Sequence, residues 1–191
     1  MIITEAITAT QIIGGNPQKA RPETDFYPTP QEVTFALLDF LDIPKREIIW
    51  EPACGEYDMA NAIKAAGYSV CASDILQGYD FLTEPKKACD WIITNPPFSL
   101  SDKFIKRCVE HGKPFALLLK SQYWHAKKRR DLFMENPPRY VLPLTWRPDF
   151  LFKQTGKRHA PLMDVMWCVW EPQYRGLPIY LPLLRGGVIK S

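Results

Sequence analysis

The sequence comprises 191 residues, of which 46% are hydrophobic and 24% charged, so it suits one domain with a buried core and lies outside the composition range of disordered chains. Its 18 prolines, about twice the usual share, disfavour a bundle made only of helices. The net charge of +3 is unevenly distributed. An acidic region, residues 1–119, has 11 Lys or Arg against 16 Asp or Glu, a basic region, residues 120–160, has 10 against 3, and the remaining residues have 3 against 2.

In chain order, residues 1–24 read as an N-terminal arm and residues 25–191 as a single domain. The spacing of apolar residues after Pro30 predicts a helix over Gln31–Leu41. Short apolar runs predict strands over 47–51, 68–72, 91–94, 115–119, 140–145 and 165–170, and capped or amphipathic segments predict helices over 58–66, 101–111 and 124–134.

The order of these elements predicts the fold class. Strands and helices alternate from residue 47 to residue 145, which is typical of an α/β protein with a mostly parallel sheet and helices on both faces. No helix is predicted between the last two strands, so we expect them to pair as an antiparallel hairpin at one edge of the sheet.

Other classes of protein fit less well. No apolar run reaches the ~20 residues of a membrane span, and the N-terminus lacks the pattern of a secretory signal, so we expect a cytoplasmic protein. Five cysteines without a CxxC pair indicate reduced thiols and neither a zinc site nor a disulfide framework. We therefore expect no metal site.

Polar residues follow three predicted strands at the point where each strand ends. Glu51-Pro52-Ala53-Cys54-Gly55 closes the first, Asp74 follows the second, and Asn95-Pro96-Pro97-Phe98 follows the third. Because the carboxyl ends of parallel strands meet at one edge of a sheet, near the point where the strand order reverses, we expect a ligand site there.

With these motifs the chain resembles a class I S-adenosylmethionine-dependent methyltransferase, in particular a DNA adenine N6-methyltransferase, over residues 26–170. The resemblance implies a Rossmann-like fold, S-adenosylmethionine as cofactor, and direct transfer of its methyl group to the N6 amino group of adenine in DNA. Compact single-domain enzymes of this kind are frequent in phage genomes, so by analogy the host cytoplasm and protection of viral DNA are the expected setting.

The resemblance also implies roles for the cofactor residues. Gly55 would allow close approach to the methionine part, Glu51 would face the cationic amino-acid end, and Asp74 would accept the ribose hydroxyls. Asp80 and Phe81 would hold the adenine, with Phe26, Tyr27 and Thr29 covering the methionine moiety. The expected cofactor-binding set is Phe26, Tyr27, Thr29, Glu51, Pro52, Ala53, Cys54, Gly55, Asp74, Ile75, Asp80, Phe81 and Asn95.

The expected catalytic residues are Asn95, Pro96, Pro97 and Phe98. An exocyclic adenine amine is a poor nucleophile because its lone pair is delocalised into the ring. The Asn95 side-chain oxygen and the Pro96 carbonyl would accept its two protons and direct the lone pair at the methyl group. The prolines would stiffen the turn, and Phe98 would stack on an extruded base.

The basic region predicts contact with the phosphates of a nucleic acid, and a solvated face is the alternative. Gln122, Tyr123 and Trp124 are candidates for the wall of the target pocket. The residues expected to contact nucleic acid are Lys127, Lys128, Arg129, Arg130, Arg147, Lys153, Lys157 and Arg158.

Several alternatives stay open. The acceptor could instead be adenine or guanine in RNA or a glutamine amide in a protein, and the chain could be a non-catalytic module that binds nucleic acid. Asp74 could be only a helix cap, the Asn-Pro-Pro sequence only a loop, and Phe26 and Tyr27 only a packing contact of the arm.

The sequence departs from the family pattern in two respects. Tyr57 stands where a second glycine is common, which could narrow the cofactor pocket. No separate target-recognition domain is evident, so recognition would depend on the 120–160 loops, the arm, a protein partner or self-association.

Overall fold

The computed structural model of the chain describes residues 27–150, 156 and 163–185. The predicted N-terminal arm lies outside the described residues, as do Phe26, Lys153, Lys157 and Arg158. Of Lys128, only the backbone is described.

The described residues form helices and strands in the predicted alternation. The helices are α1 (Gln31–Leu41), α2 (Asp58–Ala65), α3 (Ser101–His111) and α4 (Arg130–Glu135). The strands are β1 (Ile48–Glu51), β2 (Ser69–Ala72), β3 (Trp91–Thr94), β4 (Phe115–Lys120), β5 (Tyr140–Pro143), β6 (Val165–Trp170) and β7 (Ile179–Tyr180). Within the described part of the chain, no helix is long and apolar enough to cross a membrane.

The strands form one sheet in the order β2-β1-β3-β4-β6-β5-β7. The first four run parallel, and β6 runs antiparallel between β4 and β5, with Leu117 opposite Cys168 and Val141 opposite the same residue. The predicted mostly parallel sheet and the antiparallel pairing of β5 with β6 are therefore confirmed.

Helices cover both faces of the sheet because alternate residues of the buried strands point in opposite directions. On one face, Ile49, Ile93 and Leu118 belong to a core that includes residues of α1 and α2. On the other, Trp50, Ile92 and Leu117 belong to a core that includes residues of α3 and α4. Trp167 and Trp170 are buried core residues on β6.

The structure corrects the predicted helix over 124–134. This segment consists of 3₁₀ turns at Ser121–His125 and Lys127–Arg129 followed by the short α4, with Ala126 extended between the turns. The break brings the Trp124 ring onto Phe133 at a centroid distance of 4.0 Å, and the indole nitrogen lies 3.0 Å from the Met166 sulfur. These tertiary contacts outweigh the local helix preference.

The edge strand of this side of the sheet is β7, which the sequence analysis did not predict. It pairs in parallel with β5, so the expected place of the hairpin at the edge is wrong: β5 lies one position inside the edge and β6 lies two. The N–H groups of Ile179, Leu181 and Leu183 donate to carbonyl oxygens of β5 and of the residue directly before it, namely those of Arg139, Val141 and Pro143. Pro178 and Pro182 occupy positions that alternate with these donors. Because proline has no N–H group, neither position can donate to a further strand at this edge.

Candidate active site at the carboxyl ends of β1 and β3

A cavity of ≈ 320 Å³ lies at the carboxyl ends of the parallel strands. The connection from β1 leads to β2 on one side and the chain then returns to β3 on the other, so the cavity lies where the strand order reverses. Its volume falls within the range of ~300–1,000 Å³ that small-molecule sites occupy. Its lining includes the predicted residues Tyr27, Thr29, Glu51, Pro52, Ala53, Cys54, Gly55, Asp74, Ile75, Asp80, Phe81, Asn95 and Pro97.

Glu51 ends β1 with its side chain 2% exposed. Its Oε2 atom has no hydrogen-bond partner among the described residues. Burial raises the pKa of this carboxyl well above its ordinary value, nearby Asp58 and Asp74 raise it further, and a hydrogen bond from the Ala60 backbone lowers it. A cationic group placed at Oε2 would stabilise the charged carboxylate, so the site is suited to a ligand with a positively charged end.

Asp74 joins the two loops on the β1–β2 side of the cavity. Its Oδ2 accepts a hydrogen bond from the Gly55 N–H at 2.8 Å, and its Oδ1 accepts one from the Leu76 N–H at 2.9 Å. The residue therefore does cap a 3₁₀ turn, Ile75–Gln77, as the alternative held. Each carboxylate oxygen still has a lone pair for a ligand hydroxyl, so capping does not prevent ligand binding.

The loop after β1 is compatible with close approach of a ligand. Gly55 has φ 48°, a left-handed conformation that glycine adopts without strain. Tyr57 is also left-handed, with φ 66°, but its side chain is 43% exposed and does not line the cavity. The concern that Tyr57 narrows the pocket is therefore not supported by its position.

Asp80 and Phe81 both line the cavity. The Asp80 Oδ1 accepts a hydrogen bond from the Leu82 N–H at 2.9 Å. The Phe81 ring is only 2% exposed and packs between Phe104 and His111, with the His111 ring stacked at 5.4 Å. Phe81 thus contributes a wall to the cavity, while most of its surface belongs to the core.

Cys54 lines the cavity as a protonated thiol. Burial raises its pKa to about 11, and the charges of Glu51 and Asp74 act in the same direction. At neutral pH the reactive thiolate form is therefore scarce. Cys54 is therefore suited to packing in the loop and not to acting as a nucleophile.

Asn95 follows β3 and is held by the segment that precedes α1. Its amide nitrogen donates to the Tyr27 carbonyl oxygen at 3.1 Å and to the Thr29 hydroxyl at 3.0 Å. A backbone carbonyl can only accept, so the nitrogen must face Tyr27 and the orientation of the amide is fixed.

This orientation leaves the Asn95 Oδ1 atom buried without a hydrogen-bond partner among the described residues. An unpaired buried acceptor costs about 1–3 kcal/mol of stability. Such a cost is typical of a site that is completed by a ligand, and the arrangement is suited to accept one N–H group.

The other three residues of the predicted catalytic turn lie in different surroundings. Pro97 lines the cavity, whereas Pro96 is buried outside its lining and Phe98 is half-buried beside it. The Phe98 ring lies 5.8 Å from the Tyr27 ring, and the Lys120 ammonium lies 4.5 Å from its centroid. A base could stack on Phe98 only if Lys120 moved away from that ring or the base used another part of it.

The basic region contacts this turn at one point and the start of α3 at another. Besides the contact of Lys120 with Phe98, the Arg129 guanidinium donates to Asp102 Oδ1 at 3.0 Å, and Asp102 lies at the start of α3. Arg129 also donates to the Tyr123 carbonyl at 3.1 Å and lies over the Tyr123 ring. Arg129 is therefore bound within the fold, which differs from the predicted role as a phosphate contact.

Three other cations of the basic region have exposed side chains. Lys127 is exposed, as are Arg130 and Arg147. Arg130 pairs with Asp131, and Arg147 pairs with Asp164. Exposed pairs of this kind contribute ~0–1 kcal/mol, so a phosphate could replace either carboxylate at little cost.

The cavity also includes residues that the sequence analysis did not select. They are Pro28, Glu56, Asp58, Met59, Leu76, Tyr79, Leu82, Leu100 and Phe104. Those next to the motifs could have been inferred from adjacency alone. Phe104 could not, because its amphipathic position on α3 indicates only a core residue.

Comparison with known proteins is informative only at the level of structure. No protein-family model matches the chain, and no curated protein sequence matches it. The methyltransferase subunit of a type I restriction-modification system from Streptococcus thermophilus superposes with a TM-score of 0.58 at 14% identity, over 85% of this chain and 48% of that one.

Two further structures have the same fold. A dimethyladenosine transferase from Plasmodium falciparum has a TM-score of 0.56 at 14% identity, over 78% of this chain and 63% of that one. A protein from Listeria monocytogenes assigned as a class I S-adenosylmethionine-dependent methyltransferase has a TM-score of 0.54 at 15% identity, over 89% of this chain and 70% of that one. At these identities the likeness establishes a Rossmann-like methyltransferase fold, and the chain spans about half of the restriction-modification subunit.

Proposed function

We propose that this chain is an S-adenosylmethionine-dependent methyltransferase that acts on the N6 amino group of adenine in DNA. The observation that carries the proposal is the pair of unpartnered buried oxygens on one cavity, Glu51 Oε2 and Asn95 Oδ1. The first calls for a positively charged ligand and the second for an N–H donor. A sulfonium nucleoside with an α-ammonium group supplies the positive charge, and an acceptor with an amino group supplies the N–H donor.

The residues present fit the cofactor. Glu51 would hold the ammonium group, the Gly55 turn would contact the methionine part, and Asp74 would accept the ribose hydroxyls with its remaining lone pairs. Asp80 and Phe81 would contact the adenine. Bound in this way, S-adenosylmethionine would supply an electrophilic methyl group.

The residues of the Asn95-Pro96-Pro97 turn would activate the acceptor. We assign one amine proton to the Asn95 Oδ1 atom, whose residue lines the cavity, and the second to the Pro96 carbonyl, which the amine would have to reach just outside the lining. The two hydrogen bonds would localise the nitrogen lone pair and direct it at the methyl group. The fixed Asn95 amide supports this role because a preorganised acceptor does not have to rotate during the reaction. Cys54 would remain a protonated thiol, in keeping with direct transfer and no covalent intermediate.

Two observations favour a nucleic acid as the acceptor. The exposed Lys127 and Arg130 follow a strand whose end contacts the Phe98 turn, so they could bind phosphates that flank an extruded base. The similar structures include the methyltransferase subunit of a type I restriction-modification system and a dimethyladenosine transferase. A phage origin and a partner or second copy that supplies target recognition belong to the same proposal.

The test is transfer of a tritiated methyl group to DNA, RNA and protein in parallel, followed by nucleoside analysis. We expect label in DNA as N6-methyladenine. Label in RNA or protein alone would refute the DNA assignment, and failure to bind S-adenosylmethionine at millimolar concentration would refute the enzyme assignment in favour of a binding module.

Asn95→Ala provides the matched variant. It should abolish transfer and leave cofactor affinity within a few-fold, because Asn95 is assigned to the acceptor amine. Asn61→Ala, an exposed asparagine on α2 outside the cavity lining, is the control. Undiminished transfer by Asn95→Ala would exclude the role proposed for this residue.

A further inference from the structure

The segment that precedes α1 has an effect on Asn95 that differs from the cofactor contact expected of it. Both N–H groups of the Asn95 amide are used, one by the Tyr27 carbonyl at 3.1 Å and the other by the Thr29 hydroxyl at 3.0 Å. The two acceptors come from residues 66 to 68 positions away in the sequence. Together they determine which end of the amide points into the cavity.

We propose that Thr29 is a positioning residue for Asn95, holding its amide so that Oδ1 faces the acceptor amine. The proposal deepens the proposed function and rests on it. An asparagine amide that turned over would present its NH₂ group to the incoming amine and could accept neither proton. With both donors bound on the other side, that turn would cost two hydrogen bonds.

The segment itself is fixed by the core. Thr29 is 6% exposed, and the Pro30 carbonyl that follows it accepts the first hydrogen bond of α1, from the Val33 N–H at 3.0 Å. The Val33 carbonyl in turn accepts a hydrogen bond from the buried Trp167 indole at 3.0 Å. The backbone that follows Thr29 is therefore anchored to α1, and α1 is anchored to β6.

The Tyr27 side chain limits movement of the same segment. Its ring contacts Phe98 at 5.8 Å and Phe150 at 6.2 Å. The segment is thus packed between the turn at 95–98 and Phe150. Asn95 and Thr29 also line one cavity, so the position of the amide and the shape of the cavity depend on the same contacts.

Thr29→Val and Thr29→Ser test the proposal as a matched pair in the full chain. Valine keeps the shape of the side chain and removes the acceptor, whereas serine keeps the hydroxyl. The first measurement is the NMR signal of the Asn95 side-chain NH₂ group in ¹⁵N-labelled protein, assigned by its loss in Asn95→Ala. In Thr29→Val we expect one of the two protons to shift upfield and to exchange with solvent at least about tenfold faster.

The second measurement is kinetic. For Thr29→Val we expect kcat to fall about tenfold with the Kd of S-adenosylmethionine changed by less than about threefold, and Thr29→Ser should recover most of the lost kcat. A residue that only covers the cofactor would instead raise the Kd and leave kcat in place, which would overturn the proposal.

The two measurements separate this proposal from the proposed function. Unchanged Asn95 NH₂ signals in Thr29→Val would refute the positioning role, whatever the activity of the parent protein. If the parent transfers no methyl group to any acceptor, the proposed function fails, and the NMR comparison still decides whether Thr29 orients Asn95.

Discussion

Replacing Glu51 with glutamine tests the electrostatic basis of the cofactor site. Glutamine keeps the shape of the side chain and an acceptor for the Ala60 backbone, and it places an uncharged NH₂ group at the position of the unpartnered Oε2. The substitution therefore removes the charge from the β1 end of the cavity while leaving its walls in place.

The expected loss of affinity follows from burial. Breaking a buried ion pair by removing one partner costs about 3–5 kcal/mol. Glu51 is 2% exposed, so its attraction to an ammonium group is weakly screened, but glutamine still offers a dipole, which favours the lower end of that range. We expect S-adenosylmethionine to bind about 100-fold more weakly to Glu51→Gln.

The pH dependence of binding gives an independent check. The raised pKa of Glu51 means that its carboxylate takes up a proton at a higher pH than an ordinary carboxylate does. The affinity of the parent for S-adenosylmethionine should therefore decline as the pH falls through this raised pKa, and the affinity of Glu51→Gln should not. Isothermal titration calorimetry across a pH series measures both.

The free energy of unfolding should depend on pH in the opposite direction to the cofactor affinity. A carboxyl whose pKa is higher in the folded than in the unfolded state lowers the free energy of unfolding as the pH rises from its ordinary pKa to the raised one. Without ligand, Glu51→Gln should therefore melt at a higher temperature than the parent at neutral pH. Glu135→Gln, an exposed position on α4, is the control. Cofactor affinity equal to that of the parent would refute the assignment of Glu51 to the ammonium group.

Two further predictions concern the basic surface and the core. Removing the charges of Lys127 and Arg130 together should weaken DNA binding and reduce the slope of log K for DNA binding against log salt concentration by about 2. The control is Arg46→Ala with Lys113→Ala, which makes the same charge change at the amino ends of β1 and β4 and should leave the slope unchanged. Equal slopes in the two double variants would show that the basic region does not contact DNA. Burial, followed by the charges of Arg107 and Lys86, lowers the pKa of His111 from 6.5 to about 4, so the free energy of unfolding should fall as the pH drops from about 6.5 to about 4. Urea denaturation across this pH range should show a smaller decline in the free energy of unfolding for His111→Phe than for the parent. Equal declines in the two proteins would show that protonation of His111 does not destabilise the fold.

The elements that could be predicted from the sequence are those with strong local patterns. Gln31–Leu41, Trp91–Thr94, Ser101–His111 and Val165–Trp170 have the bounds that apolar periodicity and proline or glycine boundaries indicate. The predicted helix over 124–134 was wrong because Trp124 and Arg129 form hydrogen bonds with residues distant in sequence, Met166 and Asp102. The two-residue β7 has too short a pattern to be predicted.

The sequence by itself determined the α/β class and the meeting of the Glu51, Asp74 and Asn95 motifs, because parallel strands bring their carboxyl ends to one edge regardless of the details of packing. Only the tertiary structure decided which atoms are free to act there. The Asn95 Oδ1 and Glu51 Oε2 atoms are unpartnered because of where Tyr27, Thr29 and Ala60 lie, and Arg129 is removed from the basic surface by Asp102. Hydrogen-bond partners distant in sequence leave no local signal, so such choices become visible only once the chain is folded.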